Sequence, residues 1–253
     1  MRLLTWLPAA EPLVQTGVSC LVHCSDGWDR TAQVVGLAAM LMDPHYRTIR
    51  GFSVLVEREW VRLGHQFAKR SGTTAPTGIS ALAAAQQTAQ VDASPIFVQW
   101  LDAVWQVAVQ YPEAFEFSEE LLLLLGKEVY TPHFLNFAFD CEVERRQHVV
   151  VSTQTLFPAH AHVSLTRLRW RGQELAIETT LVPPPTGLSR SSLDAWTSGE
   201  SIWEYVAANQ RQFTNPQYKE AGAGAGVLKP LGEAALMKVW MGFHGAGAQA
   251  GHQ

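Results

Sequence analysis

The sequence predicts an α/β fold that is mainly helical, with its chemistry in a loop between one strand and one helix. Residues 18–22 are short, apolar and partly β-branched, which is typical of a buried strand. Residues 31–42 are apolar over the length of a helix and end at Asp43-Pro44, where proline disfavours further helix. From residue 95 onward apolar side chains recur at intervals of three and four, the period of helices that pack on a core.

Further helices are predicted along the chain, with irregular segments between them. The predicted helices cover residues 52–67, a block that begins at 95, and residues 118–129, 131–146, 202–209 and 231–240. Residues 71–93 predict a long mobile connection. Within the atypical region 148–199, the pattern around Arg171-Gly172-Gln173 favours a hairpin. The Ala/Gly-rich stretches at 221–226 and 245–251 are predicted to be disordered.

Composition indicates a globular protein without a broad basic field. The chain has 253 residues, of which 47% are hydrophobic, enough for a sizeable core. Its formal net charge of -4 argues against nucleic acid as a partner and limits any attraction to anionic lipid to a local site. Cys20, Cys24 and Cys141 show neither metal-ligand spacing nor a disulfide framework, which favours the cytoplasm. No apolar run reaches the roughly 20 residues of a bilayer crossing, so any membrane contact is expected to be peripheral.

The residues that carry chemistry lie in the loop His23-Cys24-Ser25-Asp26-Gly27-Trp28-Asp29-Arg30-Thr31. Backbone N–H groups of such a loop can turn towards phosphate oxygens, and the following helix adds the positive end of its dipole. Gly27 allows the sharp curvature that this requires. The Cys-x5-Arg spacing is weakly specific by itself, and its placement between a strand and a helix is what predicts a phosphate site.

Each reactive residue of the loop has an expected role in phosphate transfer. Cys24 is predicted to have a lowered pKa and to attack phosphorus as a thiolate, which gives a phosphocysteine intermediate. Arg30 offers a planar fork to two phosphate oxygens and stabilises the charge that develops on them. The leaving alcohol needs a proton donor, and Asp26 and Asp29 are both candidates. The sequence leaves this choice open, with a slight preference for Asp29 because it adjoins Arg30.

The string HCSDGWDRTAQ at residues 23–33 resembles the active-site loop of catalytically active myotubularins. The resemblance continues, in order and spacing, at residues 46–52, 54–57, 59–60, 94–95, 114–117, 202–203 and 213–216. The resemblance implies a cysteine-dependent phosphatase fold of the protein tyrosine phosphatase type, truncated at its N-terminus and mainly helical in the part present. It also implies that the family's N-terminal lipid-binding domain and the first half of its catalytic domain are missing here.

The resemblance further implies a substrate and a set of binding residues. The expected reaction is hydrolysis of the 3-phosphate of phosphatidylinositol 3-phosphate, and of phosphatidylinositol 3,5-bisphosphate, without a metal or other cofactor at endosomal membranes. The expected substrate-binding residues are Ser25, Asp26, Gly27, Trp28, Asp29, Arg30 and Arg70. Other expected partners are the membrane surface and further myotubularins, in homo- or hetero-oligomers.

One departure from the family pattern bears on substrate choice. Gln66 stands where the family commonly carries a basic residue, while Arg70 is retained. Glutamine donates hydrogen bonds but brings no net charge, so recognition of a second ring phosphate is expected to be weaker.

The expected organisation has four parts. Residues 1–147 form the active-site half of the phosphatase domain, and 148–199 form an atypical insertion or loop. Residues 200–243 form the C-terminal helical part, and 244–253 form a disordered tail.

Three other interpretations stay open on the sequence. The chain could be a module that binds phosphoinositides or partner myotubularins without turnover. It could act on phosphoproteins instead of lipids, which a comparison of lipid and phosphopeptide substrates would decide. It could also derive from an incomplete gene model, with an amino-terminal half encoded upstream of Met1.

Overall fold

A computed structural model describes residues 20–72, 93–145, 167–170, 173–176, 201–220, 226–232 and 237–244. Helices dominate this part of the chain. They are α1 (Arg30–Met42), α2 (Ile49–Val56), α3 (Phe67–Ser71), α4 (Ile96–Gln110), α5 (Glu119–Glu128), α6 (Ile202–Ala208), α7 (Gln210–Phe213) and α8 (Met241–His244). Short 3₁₀ turns lie at Pro44–Arg47 and Leu135–Phe137, and α2 continues into a π-helical turn at Glu57–Arg62.

The sheet within the described residues is a single hairpin. Strand β1 (Arg167–Trp170) pairs antiparallel with β2 (Gln173–Ala176), and Trp170 lies opposite Gln173. The hairpin predicted around residues 171–173 is therefore confirmed at the level of the backbone. No helix in the described part combines the length and apolar character that a bilayer crossing requires.

Helix α1 places the active-site loop against the core. Its apolar face is buried, and Gln33 donates a hydrogen bond of 2.8 Å from its side-chain amide to the carbonyl oxygen of Ile96 at the start of α4. Gly36 lets the ring of Trp100 approach closely, since a Cβ there would lie 3.2 Å from that ring. The helix that follows the loop is therefore fixed near its N-terminus, which is the end that adjoins the candidate active-site loop.

An aromatic cluster joins α2, the π-helical turn, α3 and α4. Trp60 lies 4.9 Å from Phe97 and 5.2 Å from Trp100 between ring centroids, and Phe67 lies 5.2 Å from Phe97. Phe52 stacks on Trp100 at 5.6 Å. Such pairs contribute about 0.5–1.5 kcal/mol each beyond the burial of their area. The cluster holds the segment between the π-helical turn and α3, which reaches the active-site loop.

The helices predicted at 31–42, from 95 onward, at 118–129 and at 202–209 are confirmed within one or two residues by α1, α4, α5 and α6. Helix α6 begins with a capping box, in which Ser201 accepts from the first turn and Glu204 binds back to the backbone of Ser201. Residues 73–92 of the predicted connection, 221–225 and 245–253 lie outside the described residues.

The predicted buried strand at 18–22 is wrong where it is described. Cys20, Leu21 and Val22 lie in no strand, and Leu21 is 87% exposed to solvent. A strand needs a hydrogen-bonded neighbour, and none of the described residues pairs with this segment. The apolar pattern of this segment is therefore not sufficient by itself to form a strand.

The helix predicted over 52–67 is confirmed as far as Arg62, but its bounds are wrong. The helical run starts earlier, at Ile49, and its π-helical turn ends at Arg62. Gly64 then adopts a left-handed backbone angle of φ 82°, which ends the run. The turn at Gly64 directs His65 back to the active-site loop, and α3 starts only at Phe67.

Two other predicted helices are not formed in the residues that the structure describes. Over 131–146 the structure has a 3₁₀ turn and a helical turn at 142–145, because the Glu128 carboxylate binds both the backbone N–H and the ring of His133 and so diverts the chain. Over 231–240 the described residues are not helical. The side-chain amide of Gln106 pairs with both backbone groups of Lys238, and this tertiary contact replaces helical hydrogen bonds.

Candidate active site

The loop between Val22 and α1 curls around the sulfur of Cys24. The backbone N–H of Gly27 donates to Sγ of Cys24 at 3.2 Å. Gly27 has φ 92°, and a Cβ at this position would meet no atom within 4 Å. Glycine is therefore needed here for its backbone conformation, not for space.

The pKa of the Cys24 thiol is lowered from its ordinary value of 9.0 to about 6. The largest cause is the side chain of Thr31, followed by the N–H of Gly27, while partial burial acts in the opposite direction. With a pKa of about 6, roughly nine-tenths of the thiol is ionised at pH 7.

Arg30 folds back onto the loop from the first turn of α1. Its Nη2 donates to Oγ of Ser25 at 3.1 Å, and the Ser25 hydroxyl donates to Oδ2 of Asp26 at 3.0 Å. All three residues are exposed to solvent. The guanidinium is thus held over the loop through one weak contact and is accessible to an anion.

Asp29 lies between two side chains that come from the segment after the π-helical turn. Its Oδ2 lies 2.6 Å from Nη2 of Arg70, and its Oδ1 lies 2.8 Å from Nδ1 of His65. Partial burial of Asp29 raises its pKa, but the contacts with His65 and Arg70 outweigh this, and the pKa of the carboxyl is lowered overall. Asp29 is therefore ionised at neutral pH.

His65 connects the loop to the aromatic cluster. Its ring is buried edge-on against Trp60 at 4.9 Å and Phe67 at 4.7 Å. Nδ1 lies 3.1 Å from the carbonyl oxygen of Trp28, and only this contact has the geometry of a hydrogen bond. We therefore assign the ring proton to Nδ1, which donates to the carbonyl oxygen of Trp28. The contact of His65 with Asp29 is electrostatic.

The predicted site residues come together in two groups. Cys24, Ser25, Asp26, Gly27 and Arg30 form the loop and the first turn of α1, and Trp28 and Asp29 connect them to Arg70 on α3. Trp28 is half-buried, and its indole N–H has no hydrogen-bond partner among the described residues.

Other predicted positions lie at the edge of the site or away from it. Gln66 is half-buried and precedes α3, where its carbonyl oxygen accepts from the backbone N–H of Arg70 at 2.8 Å. Cys20 and Cys141 are not in disulfides. The described residues contain no group of three or more His, Cys, Asp or Glu side chains that could hold a metal ion.

Two residues of the site carry no role in the sequence-based prediction. Thr31 follows Arg30 directly, and its place in the first turn of α1 was the available signal. His65 lies inside the helix predicted over 52–67, and nothing in that pattern distinguishes it. Its contact with the loop depends on the path of the chain, which periodicity does not predict.

Comparison with known proteins gives consistent matches. Residues 4–146 match the family described as the myotubularin-like phosphatase domain. A phosphatidylinositol-3,5-bisphosphate 3-phosphatase of Caenorhabditis elegans is 46% identical over 133 residues, which are 53% of this chain and 18% of that protein. Myotubularin of Xenopus tropicalis is 40% identical over 239 residues, 94% of this chain and 30% of the relative. The human phosphatidylinositol-3,5-bisphosphate 3-phosphatase is 39% identical over 150 residues, 59% of this chain and 22% of the relative.

The chain thus spans less than a third of the length of these relatives. Its matches nevertheless include the whole of the loop and the segment that carries His65 and Arg70.

Proposed function

Because this chain belongs to the myotubularin family, we propose that it hydrolyses the 3-phosphate of phosphatidylinositol 3-phosphate through a phosphocysteine intermediate. The observation that carries the proposal is the thiol of Cys24, which has a pKa of about 6 and lies in a loop that ends at Arg30. The names of two similar proteins, which are phosphatidylinositol-3,5-bisphosphate 3-phosphatases, support an inositol lipid as substrate.

The reaction has two displacement steps at phosphorus. In the first, the Cys24 thiolate forms a bond to phosphorus as the bond to the inositol oxygen breaks, and a proton donor protonates that oxygen. In the second, water attacks phosphorus, the bond to sulfur breaks, and inorganic phosphate and the thiolate are released. Arg30 binds two of the phosphate oxygens in both steps, where charge develops on them.

The contacts of the two aspartates support Asp26 as the proton donor. Asp29 is a carboxylate held by His65 and Arg70 with a lowered pKa, so it would have to lose both contacts and take up a proton before it could protonate an alkoxide. Asp26 is exposed and bound only through the neutral hydroxyl of Ser25. Asp29 is better placed to orient the loop and to accept hydrogen bonds from ring hydroxyls. This assignment is opposite to the slight preference drawn from the sequence.

The environment of Arg70 supports the monophosphate as the main substrate. Arg70 is engaged with Asp29 at 2.6 Å, and Gln66 brings no positive charge to replace it. A phosphate at the 5-position of the ring would have to draw Arg70 away from Asp29. Hydrolysis of phosphatidylinositol 3,5-bisphosphate is therefore proposed as a weaker activity.

The remaining proposals concern where and with what the chain acts. A lipid substrate requires peripheral contact with a membrane, which we place at the cytoplasmic face of endosomes. Association with other myotubularins is proposed through parts of the chain beyond the loop. The proposed organisation is an active-site half at 1–147, an insertion at 148–199, a C-terminal helical part at 200–243 and a tail at 244–253.

The test is phosphate release by the purified chain from the monophosphate and the bisphosphate, with a tyrosine phosphopeptide as the competing substrate class. We expect release from the monophosphate that Cys24→Ser abolishes, with a smaller rate on the bisphosphate and little on the peptide. Cys20→Ser is the matched control, since this exposed cysteine lies outside the loop. Binding of the lipid by a folded chain without release would instead support a non-catalytic module, and faster release from the peptide would support a phosphoprotein substrate.

A further inference from the structure

Helix α3 has only five residues and lacks a cap of its own. Its N-cap residue, Gln66, makes no side-chain hydrogen bond to the first turn. An isolated helix of this length is unstable in water, so its position depends on contacts from elsewhere in the fold. This position matters because α3 carries Arg70, whose Nη2 lies 2.6 Å from Oδ2 of Asp29.

The missing cap is supplied by Asp140, which follows Lys69 of α3 by 71 residues in the sequence. Oδ1 of Asp140 accepts from the backbone N–H of Lys69 at 3.0 Å, and its carboxylate also interacts with the N–H of Ala68. These are N–H groups of the first turn of α3, which have no acceptor within the helix itself. Asp140 therefore does for α3 what an N-cap side chain does in an ordinary helix.

The turn that contains Asp140 also binds Val61, at the beginning of the segment 61–69 that leads into α3. Arg145 is buried and donates to the carbonyl oxygens of Phe139 at 3.1 Å and Val61 at 2.8 Å. The backbone N–H of Asp140 is bound by the carboxylate of Glu144 at 3.0 Å. One turn thus holds both ends of the segment 61–69, which also contains His65, the other side chain that contacts Asp29.

We propose that Asp140 is a positioning residue of the active site, which caps α3 and so holds Arg70 against Asp29. The proposal deepens the proposed function, because the loop it supports is the one assigned to phosphate transfer. Asp140 touches no reacting atom, and it acts through Arg70. An amide at this position would supply the same acceptor oxygen.

The charge on Asp140 is not what the cap requires. Burial raises the pKa of Asp140, and the carboxylate of Glu144 raises it further, whereas the N–H groups of Lys69 and Ala68 and the electrostatic effect of His65 lower it. The shift is upward overall, so ionised Asp140 is less favourable in the folded chain than in the unfolded chain. Asp140→Asn should therefore keep the cap without loss of stability at neutral pH.

The test measures the pKa of Asp29 in the full chain by ¹³C NMR of aspartate-labelled protein, with Asp29→Asn to assign the signal. We expect Arg70→Met to raise this pKa by about one unit, since a cation at ion-pair distance lowers it by that much or more. Asp140→Ala should raise it by a large part of that shift. In the double variant the shift should equal that of Arg70→Met alone, because Asp140 acts only through Arg70. Asp140→Asn should leave the pKa unchanged.

Asp43→Ala is the matched control. Asp43 also caps a backbone N–H, that of His45 at 2.8 Å, but outside the active site, so its loss should not move the pKa of Asp29. Should Asp140→Ala unfold, Asp140→Glu serves in its place, since it keeps the charge but displaces the acceptor oxygens. The proposal is overturned if loss of the Asp140 acceptor leaves the pKa of Asp29 unchanged, if its effect adds fully to that of Arg70→Met, or if Arg70→Met itself has no effect.

A kinetic measurement separates this proposal from the proposed function. With turnover of the monophosphate, we expect about a tenfold loss of kcat/KM in Asp140→Ala that Asp140→Asn restores and that disappears in the Arg70→Met background. Absence of turnover in the unmodified chain would contradict the proposed function and leave the NMR result to decide the role of Asp140.

Discussion

Cys24 owes its low pKa to groups of its own loop. The causes that lower it are the side chain of Thr31 and the backbone N–H groups of Gly27, Thr31 and Asp26, and no neighbouring cation is among them. The thiolate is therefore stabilised before Arg30 or any substrate contributes. This agrees with the sequence-based expectation of inward-pointing amides but adds a side chain, Thr31, that the motif alone did not distinguish.

The role of Thr31 can be measured by alkylation of Cys24. In Thr31→Val we expect the inflection in the rate of iodoacetamide modification to move upward from pH 6 by about one unit, the scale of a lost hydrogen-bonding group. Modification at pH 7 should slow, while that at pH 9 should not change, because the thiol is ionised there in both proteins. Thr31→Ser should keep the original inflection, and an unchanged inflection in Thr31→Val would show that the hydroxyl has no part in it.

The proton donor can be identified with substrates of different leaving groups. Asp26→Asn should lower hydrolysis of the lipid by about 10²–10⁴-fold, the usual range for general acid catalysis. It should have little effect on an aryl phosphate whose phenolate leaves without protonation. Asp29→Asn should lower both rates, because it releases His65 and Arg70 and disturbs the loop. The reverse pattern between the two variants would return the acid role to Asp29.

At the scale of elements, tertiary contacts decide where helices begin and end. Helix α2 is capped by the hydroxyl of Thr48, which accepts from Gly51 at 2.9 Å, and by Glu116, which accepts from Ile49 at 2.8 Å. The second of these caps comes from a distant part of the chain, as the cap of α3 does. Periodicity predicts that a helix exists in such a region, but caps supplied from a distance set its bounds.

Gly51 is the glycine at which an added Cβ atom would come closest to a neighbouring atom. A Cβ at Gly51 would lie only 1.7 Å from the carbonyl oxygen of His45, so the backbone would have to move. We expect Gly51→Ala to lower the free energy of unfolding by about 3 kcal/mol, the upper part of the range for overpacking. Gly64→Ala is the comparison, since Gly64 has free space but φ 82°, and should cost about 1 kcal/mol of strain. Urea titrations give the free energy of unfolding of both variants. A smaller loss in Gly51→Ala than in Gly64→Ala would contradict the prediction.

At the scale of the whole molecule, the chain after the atypical region returns to the same core. Glu57 in the π-helical turn accepts from the indole N–H of Trp203 at 2.8 Å and from the side-chain amide of Asn136 at 2.6 Å. Asn136 in turn accepts from the backbone N–H of Ile202 at 3.0 Å. Helix α6 is thereby joined to the helical run that ends beside the active site.

A substitution at Trp203 can measure how much the contact between α6 and the π-helical turn contributes to stability. Trp203→Phe keeps most of the apolar contact but removes the donor to Glu57, so we expect a loss of about 1 kcal/mol in the free energy of unfolding. The pKa of Cys24 should not change, because Trp203 does not contact the loop. Thermal unfolding and alkylation of the same protein would report both effects. A changed alkylation profile would mean that α6 reaches the active site.

The chemistry of the loop could be predicted from local sequence, because nucleophile, arginine and glycine lie within seven consecutive residues and need only the turn that Gly27 permits. The helices with strong periodicity, such as α1 and α4, could be predicted for the same local reason. The strand predicted at 18–22 shows the limit of this local reasoning, since a strand forms only with a hydrogen-bonded partner, and the described residues 20–22 lie in no strand. The contacts that His65, Asp140 and Glu57 make with other segments join residues that are 36 or more positions apart. These contacts form only when the chain packs, and they place Arg70 and His65 on Asp29, which no spacing in the sequence specifies.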